Sequence, residues 1–253
     1  MRLQGRVAIV TGGGHGIGRA YCLGLAREGA AVVAADIHGD AARETQREIE
    51  KMGGKGLGLE TDVASVEGTQ MMAQRTQEAF GRIDILVNNA AVFSTIPISR
   101  VPFDQIPLEE WDRVMTVNLK GLLLSCRAVV PVMRRQKKGK IINISSASIY
   151  KGTGNRIHYV TSKAGVVGFT RVLAHELGDD GICVNTVAPG STLSESPDDK
   201  SAVTFRQSAT SERCLKRIER PDDLVGTILF LSSDDSDFIT GQTIVVDGGT
   251  SFI

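Results

Sequence analysis

Short β-branched runs alternate with longer amphipathic stretches along nearly the whole chain, and this alternation restricts the fold more than any other feature. Most of the runs are apolar enough to be covered on both faces, as strands are when βαβ units build a parallel sheet. Strands are predicted near Val7–Thr11, Ala31–Asp36, Lys55–Leu59, Ile83–Asn88, Lys140–Ser145, Ile182–Ala188 and Thr243–Asp247, and helices at about 17–28, 40–52, 65–80, 109–135, 155–178 and 221–232. A helix follows every strand until the last, and no linker or low-complexity stretch interrupts the pattern. Because such crossovers are right-handed, the expectation is a single doubly wound α/β domain over residues 1–253, its parallel seven-stranded sheet flanked by helices.

Two segments are too long for ordinary connections in such a fold, residues 90–108 and 189–214. Both follow the C-terminal end of a strand, where open α/β sheets hold their ligands, so they are assigned to the substrate side, with 189–214 as an unstructured lid. The apolar share of 42% supports a sizeable core, and 29 Lys plus Arg balance 29 Asp plus Glu. That balance leaves no broad field for nucleic acid or anionic lipid, so a small molecule is the expected partner. Cys22, Cys126, Cys183 and Cys214 are scattered without a CxxC pair, which argues against a metal site and for buried thiols in a reducing compartment. The first strand begins almost at once, leaving no signal-peptide core, and no apolar run reaches the roughly 18 residues of a membrane span; a cytoplasmic protein is expected.

The first predicted strand runs into Thr11-Gly12-Gly13-Gly14-His15-Gly16-Ile17-Gly18, and a helix starts immediately afterwards. Glycines there permit a tight turn and let the backbone approach a pyrophosphate, while free amides at the helix start face the anion. The second strand ends in Asp36, eighteen residues past Gly18, where a ribose-binding carboxylate belongs. Its charge would accept a 2′-hydroxyl and repel a 2′-phosphate, and no base follows at Ile37, so NAD is preferred over NADP. His15 would touch a phosphate only if protonated. Asp62, with Val63 beside it, is placed either at the adenine edge or as a turn residue.

Tyr159 and Lys163 lie four residues apart in a predicted helix, so both project from one face, about 5–6 Å apart at Cβ. A free tyrosine has a pKa of about 10, and a neighbouring ammonium lowers it. Reaching neutrality asks for roughly 4 kcal/mol from Lys163 and a positive nicotinamide ring. Spacing alone would make the pair an ordinary exposed one. A carbonyl oxygen gaining charge wants a second hydrogen-bonding group, and periodicity does not separate Ser145, Ser146 and Ser148.

Together these residues resemble the short-chain dehydrogenase/reductase family, whose motifs occur here in order as Thr11-Gly12 with Gly16 and Gly18, Asn88-Asn89-Ala90, Asn118, Ser146, Tyr159 with Lys163, and Pro189-Gly190. The resemblance spans nearly the whole chain and implies a Rossmann fold. It selects Ser146, thirteen residues before Tyr159, to orient the substrate oxygen, with Tyr159 as general acid/base. It implies that Lys163 holds the nicotinamide ribose and lowers the tyrosine's pKa, and that Asn118 positions a water in the proton relay. It places Asn88, Asn89 and Ala90 along the cofactor, with Asn89 serving the sheet, and has Thr192 backbone and the Ser194 hydroxyl hold the nicotinamide amide. It also implies a homotetramer built on paired long helices. Three positions depart from the pattern: Ala91 replaces the glycine after Asn88-Asn89-Ala90, Ser194 stands where threonine is common, and 191–211 is polar and serine-rich, unlike an apolar acyl groove.

The expected function is therefore hydride transfer between NAD and a secondary alcohol or its ketone. A 3-oxoacyl thioester reductase is the rival among enzymes, opposed by Asp36 because biosynthetic reductases generally draw on NADPH. An epimerase would show a TGxxGxxG loop and a nucleotide-sugar domain. A dinucleotide-sensing protein without chemistry would have lost Tyr159, Lys163, Ser146 or Asn118. Phe93, Ser148, Tyr150 and Leu193 are candidates for the pocket lining, and Arg156 or His158 for contact with an acidic substrate.

Overall fold

Alternate residues of β1 (Val7–Thr11) feed two separate apolar cores: Ala8 and Val10 face one, Ile9 the other. This division runs through the whole sheet. In the computed structural model, which describes residues 1–93, 96–195 and 198–253, seven parallel strands lie in the order β3-β2-β1-β4-β5-β6-β7. The others are β2 (Ala31–Asp36), β3 (Gly56–Glu60), β4 (Ile85–Asn88), β5 (Gly139–Ile144), β6 (Ile182–Pro189) and β7 (Thr243–Val246). Ser94, Thr95, Ser196 and Pro197, within the two long segments assigned to the substrate side, lie outside the described residues.

One core packs Tyr21 and Leu25 of α1 (Gly16–Arg27), Ala42 and Ile49 of α2 (Gly39–Lys51), and Leu224 and Ile228 of α9 (Asp222–Ser232) against the sheet. The opposite core takes Met72 of α3 (Val66–Phe80), Val129 and Met133 of α5 (Gly121–Gln136), and Leu177 of α7 (Ile157–Leu177). Each fully buried side chain of this kind contributes about 1.5–3 kcal/mol. Strand order reverses between β1 and β4, so a crevice opens beyond their C-terminal ends, at Thr11 and Asn88.

The helix predicted at 109–135 is interrupted. It begins as α4 (Leu108–Met115), passes through a π-helical turn at Thr116–Lys120, and continues as α5. Within the turn the Asn118 side chain accepts from the Val92 amide at 2.9 Å and donates to the Ser162 hydroxyl at 3.0 Å. Such side-chain ties favour a local break in the helical ladder. The combined stretch Leu108–Gln136 is, by length and composition alone, apolar enough to cross a membrane, a test that the core helix of a folded domain also passes. Half of its most apolar window is buried in the fold, as in a core helix.

The segment 189–214 is likewise more ordered than expected, because it contains α8 (Lys200–Ser208) and a 3₁₀ turn at Ala209–Glu212. Asp199 caps α8 by accepting from the amides of Ser201 and Ala202. A four-residue α6 (Ser148–Lys151) precedes α7.

A chain of buried polar groups crosses the middle of the sheet. Asn88 Nδ2 donates to Asn143 Oδ1 at 2.9 Å, Asn143 Nδ2 donates to Thr170 Oγ1 at 2.9 Å, and Thr186 Oγ1 donates to Thr170 Oγ1 at 2.8 Å. It ties β4, β5, β6 and α7 together. Asn143→Leu would strand a donor on one side and a hydroxyl on the other, so it should lower unfolding free energy by roughly 2–4 kcal/mol. Urea denaturation measures this, and a change below about 0.5 kcal/mol would show the chain to be energetically neutral.

Candidate active site

A cavity of about 660 Å³ lies over the C-terminal ends of the strands. One end is the loop between β1 and α1, where Gly12, His15, Gly16, Ile17 and Gly18 line the wall. Gly18 is forced by packing, since a Cβ there would lie 2.0 Å from the Gly12 carbonyl oxygen. Gly16 takes φ +50°, and a Cβ on it would approach the Ser194 carbonyl oxygen to 3.1 Å. The segment after β6 therefore closes directly over the glycine loop.

Asp36 is buried at the end of β2, with one carboxylate oxygen accepting from the Gly14 amide and the other from the His38 amide, both at 2.9 Å. Gly14 thus braces Asp36 and is not among the residues that line the cavity. Asp36 and Ile37 do line it, as do Asp62, Val63, Asn89, Ala90, Pro189, Gly190, Thr192 and Ser194. Asp62 also accepts from the Ala64 amide at 2.8 Å, the turn-forming bond that its sequence position allowed. Asn89 Nδ2 donates to the carbonyls of Thr11 and Gly12, locking the two strand ends together. Asn88 points into the sheet instead, toward Asn143 and the Cys126 sulfur.

At the other end α7 meets β5. Lys163 Nζ donates to the Ile144 carbonyl at 2.8 Å, and Ser145 Oγ donates to the Lys163 carbonyl at 2.7 Å. Ser146, Tyr159 and Lys163 are all buried and line the cavity together. The Tyr159 ring stacks on Phe93 with centroids 4.5 Å apart. Burial raises the phenol's pKa, and the Ser146 hydroxyl and the charges of Arg156 and Arg206 draw it back down. The Lys163 ammonium lies 5.9 Å from the ring centroid and is bonded to the Ile144 carbonyl, and burial pushes its own pKa down to about 8.

Asn118 lies outside the large cavity. It lines, with Asn88 and Lys163, a second space of about 10 Å³, the size of one water. Each end of its side chain makes one bond within the protein, to the Val92 amide and to the Ser162 hydroxyl, which fixes its orientation in the π-turn.

Of the candidate pocket residues, Phe93, Ser148 and Arg156 line the cavity, whereas Tyr150 and Leu193 do not. His158 is fully buried with Nε2 2.7 Å from Glu110, so it braces α7 against α4. Reading the sequence missed Phe205 and Arg206 of α8, which line the cavity, and Glu219. Glu219 accepts from the Thr192 hydroxyl at 2.7 Å, the Gly190 amide at 3.2 Å and Arg213 at 3.2 Å, fixing the segment after β6. Burial raises its carboxyl pKa against those partners. The cap residue Asp199 could have revealed α8; Glu219 had no local signal for its bonds to Thr192 and Gly190, which are distant in sequence.

The glycine cradle, the buried carboxylate and a cavity lined from Asp36 at one end to Tyr159 at the other fit a nicotinamide dinucleotide. A family model described as enoyl-(acyl carrier protein) reductase matches residues 12–251. The chain is 41% identical over 252 residues to the (2S)-[(R)-hydroxy(phenyl)methyl]succinyl-CoA dehydrogenase subunit BbsD of Thauera aromatica, covering 99% of this chain and 98% of that one. It is 38% identical to the 3-oxoacyl-[acyl-carrier-protein] reductase FabG of Thermotoga maritima, covering 98% and 99%. The crystal structure of levodione reductase superposes with a TM-score of 0.88 at 30% identity over 98% of both chains. The chain belongs to the short-chain dehydrogenase/reductase family, whose members are oxidoreductases that use a nicotinamide cofactor.

Proposed function

We propose that the protein is an NAD-dependent dehydrogenase acting on a secondary alcohol or its ketone. The observation that carries this reading is the convergence of Ser146, Tyr159 and Lys163 at one end of a cavity whose other end is Asp36 and the glycine loop. The bound nicotinamide accepts or supplies the hydride. Ser146 and Tyr159 hydrogen-bond the substrate oxygen, and Tyr159 Oη takes its proton in oxidation or returns it in reduction. Lys163, tethered to Ile144, would hold the nicotinamide ribose, and it borders the small water-sized space that Asn118 also lines.

The Thermotoga relative's name points to a 3-oxoacyl thioester as the alternative substrate. Asp36 favours NAD, because a buried carboxylate at the ribose end repels a 2′-phosphate, and Ile37 beside it offers no positive charge. A sensing role without chemistry is disfavoured by the intact Ser146, Tyr159 and Lys163.

Cofactor reduction followed at 340 nm over a panel of secondary alcohols tests the reading. NAD should exceed NADP in kcat/KM by at least about a hundredfold, roughly 2.7 kcal/mol, and Asp36→Ala should narrow the gap. Tyr159→Phe should lower kcat by about 10²–10⁴-fold while NAD binding by calorimetry is retained. Preference for NADP would refute the role of Asp36, and an unimpaired Tyr159→Phe enzyme the role of the phenol.

The sign of the pH dependence follows from the buried Tyr159–Lys163 pair. Oxidation needs the pair to have lost a proton, and Lys163 is the group whose pKa is brought down to about 8. Alcohol oxidation should therefore rise with pH through a limb near that value and level off above it, and ketone reduction should fall through the same limb. A flat profile from pH 6 to 10 under single-turnover conditions would contradict this.

A further inference from the structure

Positive charge collects around the substrate end of the cavity, and most of it is answered within the protein. Lys151 pairs with Glu212, Arg206 with Glu195 at 2.6 Å, and Arg213 with Glu219 at 3.2 Å. Arg156 is an exception. It is half-buried and lines the cavity three residues before Tyr159, one helical turn away, yet it has no carboxylate or hydrogen-bond partner among the described residues. Its neighbours aggravate the imbalance: burial lowers its pKa, and Arg100 and Arg206 lower it further by repulsion. Arg100 likewise has no carboxylate partner among the described residues, and the Nε of buried Arg206 lacks any hydrogen-bond partner.

Two more features act in the same direction. Arg156 immediately precedes the 21-residue α7, whose N-terminus has no side-chain cap and no acidic residue in its first turn, so the positive end of the helix dipole is uncompensated there. Aromatic surface lies beside the charge. Phe93 stacks on Tyr159, and Phe205 has the guanidinium groups of Arg100 and Arg206 at 5.0 and 5.3 Å from its ring centre.

We propose that Arg156, supported by Arg100 and Arg206, binds an anionic group carried by the substrate, a carboxylate or a phosphate, on a molecule whose apolar body lies against Phe93 and Phe205. This deepens the dehydrogenase reading and rests on it, because the anion is placed relative to an oxygen held at Tyr159. A fork of guanidinium donors suits a planar or tetrahedral oxyanion, and such a pair is strongest where water is partly excluded. The unpaired half-buried charge is then completed by the substrate and not by the protein.

The probes are 4-oxo-4-phenylbutanoate and its methyl ester, which differ in the charge and by one methyl group. Binding to NADH-saturated Tyr159→Phe protein is measured by calorimetry, and turnover by the wild type from NADH oxidation. The acid should bind about 10- to 100-fold tighter than the ester. Arg156→Gln should remove that difference through the acid alone, with R156K retaining part of it. A second pair, acetoacetyl-CoA and the phosphate-free acetoacetyl-N-acetylcysteamine thioester, separates the sources. A loss in R156Q confined to the CoA compound assigns the group to a phosphate, and one confined to the phenylbutanoate assigns it to a carboxylate. Equal affinity for the charged and uncharged members of both pairs, or a uniform loss in R156Q, would overturn the proposal. Tight, Arg156-dependent binding of an acid that the wild type does not reduce would leave the anion site standing and count against the hydride-transfer reading alone.

Discussion

Two reciprocal hydrogen bonds moor α7 to the end of β5, Lys163 Nζ to the Ile144 carbonyl and Ser145 Oγ to the Lys163 carbonyl, and the geometry of the site hangs on them. A β-strand ending in a crevice leaves its last carbonyls without ladder partners, and a buried ammonium needs acceptors. Each deficit answers the other. The result fixes the azimuth of α7, so that Tyr159, one turn earlier, comes to lie beside Ser146 at the strand's end. The polar chain through Asn143 and Thr170 holds the same helix farther along, so the helix cannot roll about a single attachment.

The cofactor end depends on a different kind of constraint, close backbone contact. Gly18 lies against the Gly12 carbonyl and Gly16 faces Ser194, so the first loop of the sheet and the segment after β6 are shaped by the side chains they lack. Asp36 draws its stability from two backbone amides while remaining open to the cavity. The segment after β6 is held from below by Glu219 and Arg213, a buried ion pair that leaves α8 as the more exposed part of the cover.

What could be read directly from the residues was whatever depends on short-range periodicity. The strands and most helices fell close to their expected ranges because apolar alternation and helical spacing are local signals, and the four-residue spacing of Tyr159 and Lys163 placed them on one face of one of those helices without by itself assigning them a role. Ser146 could be singled out from Ser145 and Ser148 only through resemblance, since all three occupy the same turn. The misreadings arose where a distant partner decided the outcome. Asn118 was expected in a regular helix, but its bonds to Val92 and Ser162 accompany a π-turn. The Lys163 ammonium likewise has a partner that helical spacing does not announce, the carbonyl of Ile144 on the neighbouring strand. The polar composition of 191–211 concealed α8, whose buried Arg206 belongs to the cavity wall.

The π-turn at Thr116–Lys120 also sets the phase of everything that follows it on the helix. A helical residue advances about 100°, so one residue accommodated in a wider turn rotates the downstream face by that angle relative to the upstream one. This lets α4 present its contacts to α7 through Glu110 and His158 while α5 turns Cys126, Val129 and Met133 into the core beneath the sheet. The turn works as a gear between two packing surfaces that a uniform helix would force into one register. Single-residue insertions or deletions along 116–120 would consequently act as rotations, misaligning a whole core face at once, and the length of this stretch is constrained independently of which side chains occupy it.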